Sequence, residues 1–114
     1  KYMTETHTIT LAEPISKQKT GVVLIFCGYN PEASTVHDYW FSCHFVPKYQ
    51  VAAHPGAGII FFMTTSGLFS YVGSKYIYFN DTTLAGNTNN DAIGTANGIT
   101  YNNNRFVLRH VIGV

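Results

Sequence analysis

The segment HDYWFSCHFV, which runs from His37 to Val46, has the clearest period-two pattern in the sequence. Successive side chains of a β-strand point to opposite faces, so this pattern predicts a strand with two different faces. The faces carry Tyr39, Phe41, Cys43 and Phe45 on one side, and Asp38, Trp40, Ser42, His44 and Val46 on the other. Pro47 ends the predicted strand, because proline has no amide hydrogen for a sheet ladder.

The rest of the sequence has the same character. Thr, Val, Ile, Tyr and Phe prevail, and no window keeps the spacing of an amphipathic helix over three turns. The dipeptide Asn97-Gly98 predicts a hairpin turn, since both residues tolerate positive φ. We therefore predict an all-β chain of about eight or nine strands, folded as an antiparallel β-sandwich or a jelly roll. The other predicted strands are Met3 to Leu11, Gly21 to Tyr29, Gly58 to Met63, Leu68 to Val72, Lys75 to Phe79 and Arg105 to Ile112.

Two of these segments, Gly21 to Tyr29 and Gly58 to Met63, are apolar at almost every position. Both faces of each strand should therefore be covered. A domain of this size buries only about 65% of the surface of its unfolded chain, and one small sandwich offers little cover for such strands. The pattern favours an interface between subunits, and one strand crossing the middle of a single core is the alternative.

The composition limits the possible partners. The chain has 114 residues, 11% of them charged, and a formal net charge of +1. This predicts one ordered domain over residues 1–114 and argues against nucleic acid and anionic membranes, which need basic patches. No apolar run is long enough for a transmembrane helix, and no leader pattern is visible. The start at Lys1 and the apolar end at Val114 lead us to expect a C-terminal fragment of a longer protein.

The two cysteines, Cys27 and Cys43, both lie in apolar strand-like segments. Two cysteines are too few for a disulfide scaffold, although they could pair in an oxidising compartment. We predict buried free thiols.

The predicted strand from His37 also gives the candidate binding site. Asp38, Trp40 and His44 share one face, where alternate residues are about 7 Å apart. An indole offers an apolar plate for a sugar ring, while a carboxylate and an imidazole can hydrogen-bond to hydroxyl groups. Tyr49 and His54, in the following loop, could extend the site. The alternative is structural, with Trp40 packed in a core layer or against a neighbouring subunit and His44 hydrogen-bonded beside it.

Two other polar groups have both a functional and an ordinary interpretation. The loop with Asn87, Asn89, Asn90 and Asp91 could meet a ligand, but Asn is also a common turn residue. Arg105 and Arg109 would share a face of the last strand, where they could hold a phosphate or form ordinary ion pairs.

The sequence has no clear catalytic or metal-binding motif. Its five histidines form no HExxH pattern. The segment from Asp81 to Asp91 has Gly86 at the sixth position of a calcium loop, but Thr83, Ala85 and Ala92 stand where oxygen ligands or the bidentate Glu are needed. There is no GxSxG, and the adjacent Cys43 and His44 would point to opposite faces of their strand. We predict a protein that is not an enzyme and needs no metal or cofactor.

Several segments resemble a known family. They are KYIYFNDTTLAGNTNN (Lys75 to Asn90), NGITYNNNRFVLRHVIGV (Asn97 to Val114), GVVLIFCGY (Gly21 to Tyr29) and HFVPK (His44 to Lys48). Together they resemble the C-terminal end of tail proteins from phages of Gram-positive bacteria.

The resemblance implies a receptor-binding head domain at the tip of a siphophage tail. Such a head is a homotrimer of β-sandwiches that binds a host cell-wall saccharide, such as a teichoic acid or a cell-wall polysaccharide. It would join the rest of the tail through a preceding N-terminal part and would fold in bacterial cytoplasm, where thiols stay reduced. The alternatives are a tail-associated polysaccharide depolymerase and a purely structural trimerisation cap.

Overall fold

The computed structural model describes residues 1–65 and 70–114. Within these ranges the chain forms ten β-strands, one α-helix and three short 3-10 helices, and all strand pairs are antiparallel. The predicted all-β class is therefore confirmed. The strands are β1 (Thr8–Thr10), β2 (Gly21–Asn30), β3 (Thr35–Val36), β4 (Ser42–Pro47), β5 (Gly58–Thr64), β6 (Val72–Phe79), β7 (Thr83–Ala85), β8 (Ile93–Ala96), β9 (Ile99–Asn102) and β10 (Phe106–Gly113). The helix α1 is Lys48–Ala53, and the 3-10 helices are Ile15–Lys17, Thr88–Asp91 and Asn103–Arg105.

The strands form two larger sheets and a separate hairpin. In the first sheet the order is β1-β7-β6-β5. In the second sheet β2 lies in the centre, with β10 on one side and β4 and β3 on the other. The hairpin β8–β9 turns at Asn97 and Gly98, whose φ angles of 53° and 79° confirm the predicted turn. No helix in the described ranges is long and apolar enough to cross a bilayer.

The buried side chains of both sheets belong to one core cluster. Leu24 and Phe26 of β2 meet Phe61 of β5, and the ring centroids of Phe26 and Phe61 are 5.5 Å apart. In the middle of β2 the burial of side chains alternates, since Leu24 and Phe26 are buried while Val23 and Ile25 are half-buried. The two sheets therefore bury their facing sides against each other.

The chain itself covers the outward sides of the two apolar strands only in part. In β5, Ile60 is 68% exposed and Phe62 is 57% exposed. In β2, Val23 pairs with Phe45 of β4 and with Ile112 of β10, which are 54% and 46% exposed. The alternative of one strand crossing the middle of a single core is therefore wrong, and cover by a neighbouring subunit stays a prediction.

Three other expectations differ from the structure. The strand expected from His37 begins only at Ser42, and a helix that was not predicted follows Pro47. The strands expected at Leu68 to Val72 and at Lys75 to Phe79 are not separate, because β6 runs unbroken from Val72; residues 68 and 69 lie outside the described residues. Of the two thiols only Cys27 is buried, because Cys43 faces outward on β4; both are free.

Candidate functional site

The predicted binding face lies in a loop and not in a strand. Residues 37–41 connect β3 to β4, and Trp40 has a φ of 61°. A bulky residue with positive φ is an outlier that costs about 1–3 kcal/mol and persists only where the surrounding structure holds it. This one residue breaks the period-two alternation, so Asp38, Trp40 and His44 do not share a strand face as expected.

Two main-chain hydrogen bonds hold the loop of residues 37–41 against Gly28 of β2. The Gly28 amide donates to the carbonyl of Tyr39 (3.1 Å), and the His37 amide donates to the carbonyl of Gly28 (3.0 Å). The indole of Trp40 lies directly on Gly28, where any β-carbon would overlap the ring. A glycine inside an otherwise apolar strand therefore marks the place where the Trp40 side chain packs.

Four rings form what we call the aromatic cluster: His37, Tyr39, Trp40 and Tyr71. His37 stacks on Tyr39 with 4.3 Å between ring centroids, and Trp40 meets both of these rings edge-on at 5.3 and 4.9 Å. Tyr71 lies 6.5 Å from Trp40. Tyr39 is 49% exposed, so its ring is presented to solvent on a support of packed rings.

Two ion pairs flank the aromatic cluster. Arg109 donates to the carboxylate of Asp38 (2.5 Å) and to the carbonyl of His37 (3.2 Å). The hydrogen bond that Arg109 donates to Asp38 raises the pKa of Arg109 above its ordinary value. Arg105 pairs with Glu32 (2.9 Å) and stacks over Tyr71, 4.6 Å from the ring centroid.

The two arginines therefore form ion pairs, which was one of the two interpretations of their sequence pattern. They do not share a face of the last strand. Arg105 lies in the 3-10 helix before β10, and the strand register shifts at Arg109. Sequence reasoning missed His37, Tyr39 and Tyr71, because a regular strand would have placed them away from Trp40 or on another element.

His44 lies on the inward side of β4, away from the aromatic cluster. Its ring sits 5.6 Å from Phe26 and 5.3 Å from Phe61, and its Nε2 is 2.6 Å from the Ser42 hydroxyl. Burial lowers the pKa of His44 below its ordinary value. The hydrogen-bonded structural role considered for this residue matches its position in the structure.

Tyr49 and His54 belong to α1 and its C-terminal cap, beyond the opposite end of β4. Tyr49 is 75% exposed and borders a groove of about 580 Å³. The charged groups of this groove are already paired, because both carboxylate oxygens of Asp81 accept from Ser16 and the Lys48 ammonium donates to the Gln18 carbonyl. The five predicted residues are therefore spread over three places.

The most unusual polar group in the structure is Lys75 on β6, whose side chain is fully buried. Its ammonium donates to the carbonyls of Asn90 (2.5 Å) and Asn103 (2.9 Å) and lies 5.1 Å from the ring centroid of Tyr2. Burial lowers the pKa of Lys75 to about 7, against an opposing effect from Asp91. The sequence signal was a lysine at an inward position of an alternating strand.

The side chains of the two asparagines continue this network. Asn90 accepts from the Tyr76 amide (2.8 Å) and donates to the carbonyls of Met3 (2.6 Å) and Tyr76 (2.9 Å). Asn103 accepts from the Ser74 amide (2.9 Å). The side chains of Asn90 and Asn103 hydrogen-bond to the main chain of β6, as a neighbouring strand would. Asn90 is therefore a buried structural residue and not a surface ligand group.

The described part of the chain has no group of three or more His, Cys, Asp or Glu side chains placed to hold a metal ion. In the segment from Asp81 to Asp91, Leu84 is buried in the core and Asp81 binds Ser16. Comparisons with models of protein families, with curated proteins and with solved structures found no match to this chain.

Proposed function

We propose that the chain is a receptor-binding head of a phage tail tip, which attaches the virion to a saccharide of the host cell wall. The observation that carries this proposal is the aromatic cluster. It presents the exposed ring of Tyr39 on a support of His37 and Trp40, with a carboxylate and a guanidinium beside it.

These groups suit the two sides of a sugar ring. The face of Tyr39 is an apolar plate for the C–H face of a pyranose, and the Asp38 carboxylate is 83% exposed, so it can accept from hydroxyl groups. Arg109 offers donors to hydroxyl or phosphate oxygens, which a teichoic acid would supply. The packed support fixes these groups before binding, so little ordering entropy is lost when a sugar docks.

The aromatic cluster can be tested with fluorescence, because Trp40 is the only tryptophan of the chain. Purified host cell-wall saccharide should change the Trp40 emission in a saturable way. The variant Tyr39→Ala should bind about fivefold more weakly, since one aromatic contact is worth about 1 kcal/mol. Tyr49→Ala is the matched control, because it removes another exposed tyrosine far from the aromatic cluster. Equal binding by both variants would contradict the assignment.

We also propose that the head is a β-sandwich that assembles as a homotrimer through the outward face of the β10-β2-β4 sheet. Phe45 and Phe41 are 54% and 52% exposed on the β4 side of this sheet. At roughly 200 Å² per ring, the two side chains leave about 200 Å² of apolar surface in water. This is about a quarter of the area that each partner buries in a standard interface. Three copies would also raise the avidity of weak saccharide sites.

Sedimentation measures the oligomeric state directly. The unmodified protein should sediment as a trimer, and Phe45→Ser should shift the population toward monomers. Ile93→Ser, which removes an equally exposed side chain from the β8–β9 hairpin, should leave the trimer intact. A wild-type protein that is monomeric at micromolar concentration would remove the trimer from the proposal.

A further inference from the structure

A second cleft lies between the β8–β9 hairpin and the outward face of β5 and β6, and Asn103, a partner of Lys75, is part of its lining. It has a volume of about 370 Å³. Phe62, Ser74, Asn89, Ile99 and Tyr101 are among the residues that line it. This volume is at the lower end of the range for small-molecule sites, which is about 300–1,000 Å³.

The lining of this cleft is neutral and amphipathic. None of its lining residues is charged, and Phe62 and Ile99 are 57% and 59% exposed. Four polar side chains also line it. The amide of Asn103 is hydrogen-bonded within the protein, and the other three groups are the hydroxyls of Ser74 and Tyr101 and the amide of Asn89. Within residues 1–65 and 70–114, none of these three groups has a hydrogen-bond partner in the protein.

This differs from the groove beside Tyr49, where the two charged side chains are already paired with protein groups. Apolar walls with a few unpaired polar groups are typical of a site for a small ligand that has both apolar and hydrogen-bonding edges. The absence of charge excludes recognition of an anion by an ion pair.

The hydrogen bonds around the buried Lys75 hold the walls of the cleft in place. Asn103 binds the Ser74 amide on one wall and donates to the carbonyl of Asn89 (2.8 Å) on the other. Lys75 bridges the carbonyls of Asn90 and Asn103 behind them. The cleft is therefore fixed by buried hydrogen bonds, which reduces the entropy cost of binding.

We propose that this cleft binds a neutral saccharide unit of one or two rings that carries an apolar substituent, such as an acetamido sugar. The sugar's apolar face and substituent contact Phe62 and Ile99, and its hydroxyl and amide groups pair with Ser74, Asn89 and Tyr101. The inference rests on the saccharide-binding function proposed above and adds a second subsite to it, with a preference for neutral sugars.

The test is a titration of the isotope-labelled protein, followed by NMR, with N-acetylglucosamine, its disaccharide and glucuronic acid as probes. The two neutral sugars should shift the signals of β8, β9 and Ser74, and the acid should not. Tyr101→Phe removes one hydroxyl and keeps the ring, so binding should weaken about fivefold, as expected for one hydrogen bond. Tyr49→Phe is the matched control and should bind like the wild type.

The outcomes separate this inference from the proposed function. If neutral sugars leave the signals of the cleft unmoved while cell-wall saccharide still changes the Trp40 emission, the second subsite is wrong and the receptor-binding proposal stands. If Tyr101→Phe binds as well as Tyr49→Phe, or if glucuronic acid shifts the same signals equally, the assigned chemistry is overturned. If neutral sugars shift the NMR signals of the cleft but cell-wall saccharide does not change the Trp40 emission, the aromatic cluster is not a saccharide-binding site.

Discussion

Lys75 should make the stability of this protein depend on pH in a direction opposite to that of most ion-paired lysines. A buried lysine whose folded pKa is about 7 releases its proton far below the pKa of 10.5 that it has in the unfolded chain. Between these two values the unfolded state binds more protons than the folded state. The free energy of unfolding therefore rises with pH across this interval.

The magnitude follows from the two pKa values. Each pKa unit corresponds to 1.36 kcal/mol, so the full interval corresponds to about 5 kcal/mol. An experiment limited to pH 7 to 9.5 should see about 3 kcal/mol of this change. Asp91 partly opposes the shift.

The assay is urea denaturation at several pH values, with the variant Lys75→Met as the comparison. Methionine keeps an unbranched apolar side chain and does not titrate. It leaves the carbonyls of Asn90 and Asn103 without their donor, which costs about 1–3 kcal/mol for each group at every pH. The N-terminal amine is the exception among the other titrating groups, because Lys75 lowers its pKa. The difference between the two pH profiles therefore reports the titration of Lys75 together with this coupling.

The result that refutes this reasoning is a pair of parallel profiles between about pH 7 and 9.5. Lys75 would then remain charged in the folded state, held by the two carbonyls and by the ring of Tyr2. The loss of stability in Lys75→Met would in that case be independent of pH.

Three further predictions concern other parts of the structure. Asn90→Ala should lower the free energy of unfolding by about 2–4 kcal/mol, because it leaves several buried main-chain groups unpaired, and an unchanged denaturation midpoint would contradict this. A maleimide should label Cys43 within minutes in the native protein and Cys27 only after unfolding. The reason is that only Cys43 is exposed, while burial raises the pKa of Cys27. Mass spectrometry after digestion distinguishes the two sites. Gly28→Ala should displace the indole of Trp40 and shift its emission to longer wavelength, and an unchanged spectrum would show that the loop does not depend on this contact.

The sequence predicted those parts of the fold that follow from local pattern. The alternation of β4 is correct from Ser42 onward, with Cys43 and Phe45 outward and Val46 inward. The hairpin turn at Asn97 also follows from local backbone preference. These features depend on residues that are near one another in the chain.

The errors arise where a distant contact decides the local conformation. The period-two pattern continues through Trp40, but the packing of its indole on Gly28 favours a positive φ that no local pattern indicates. The helix α1 has six residues, too few to establish a helical period. The partners of Lys75 lie 15 and 28 residues further along the chain, so the sequence offered no means of pairing them.

The position of β2 also determines how the chain can reach its folded state. The apolar strand β2 is the second of the described strands, yet its partner along seven residues is β10, the tenth. Such a long separation makes closure of the pair slow, since loop entropy is lost before the contact is gained. During synthesis one edge of β2 stays open until β10 leaves the ribosome, which exposes the nascent chain to aggregation. A ribosome that stalls before Phe106 would hold a chain whose central sheet is incomplete.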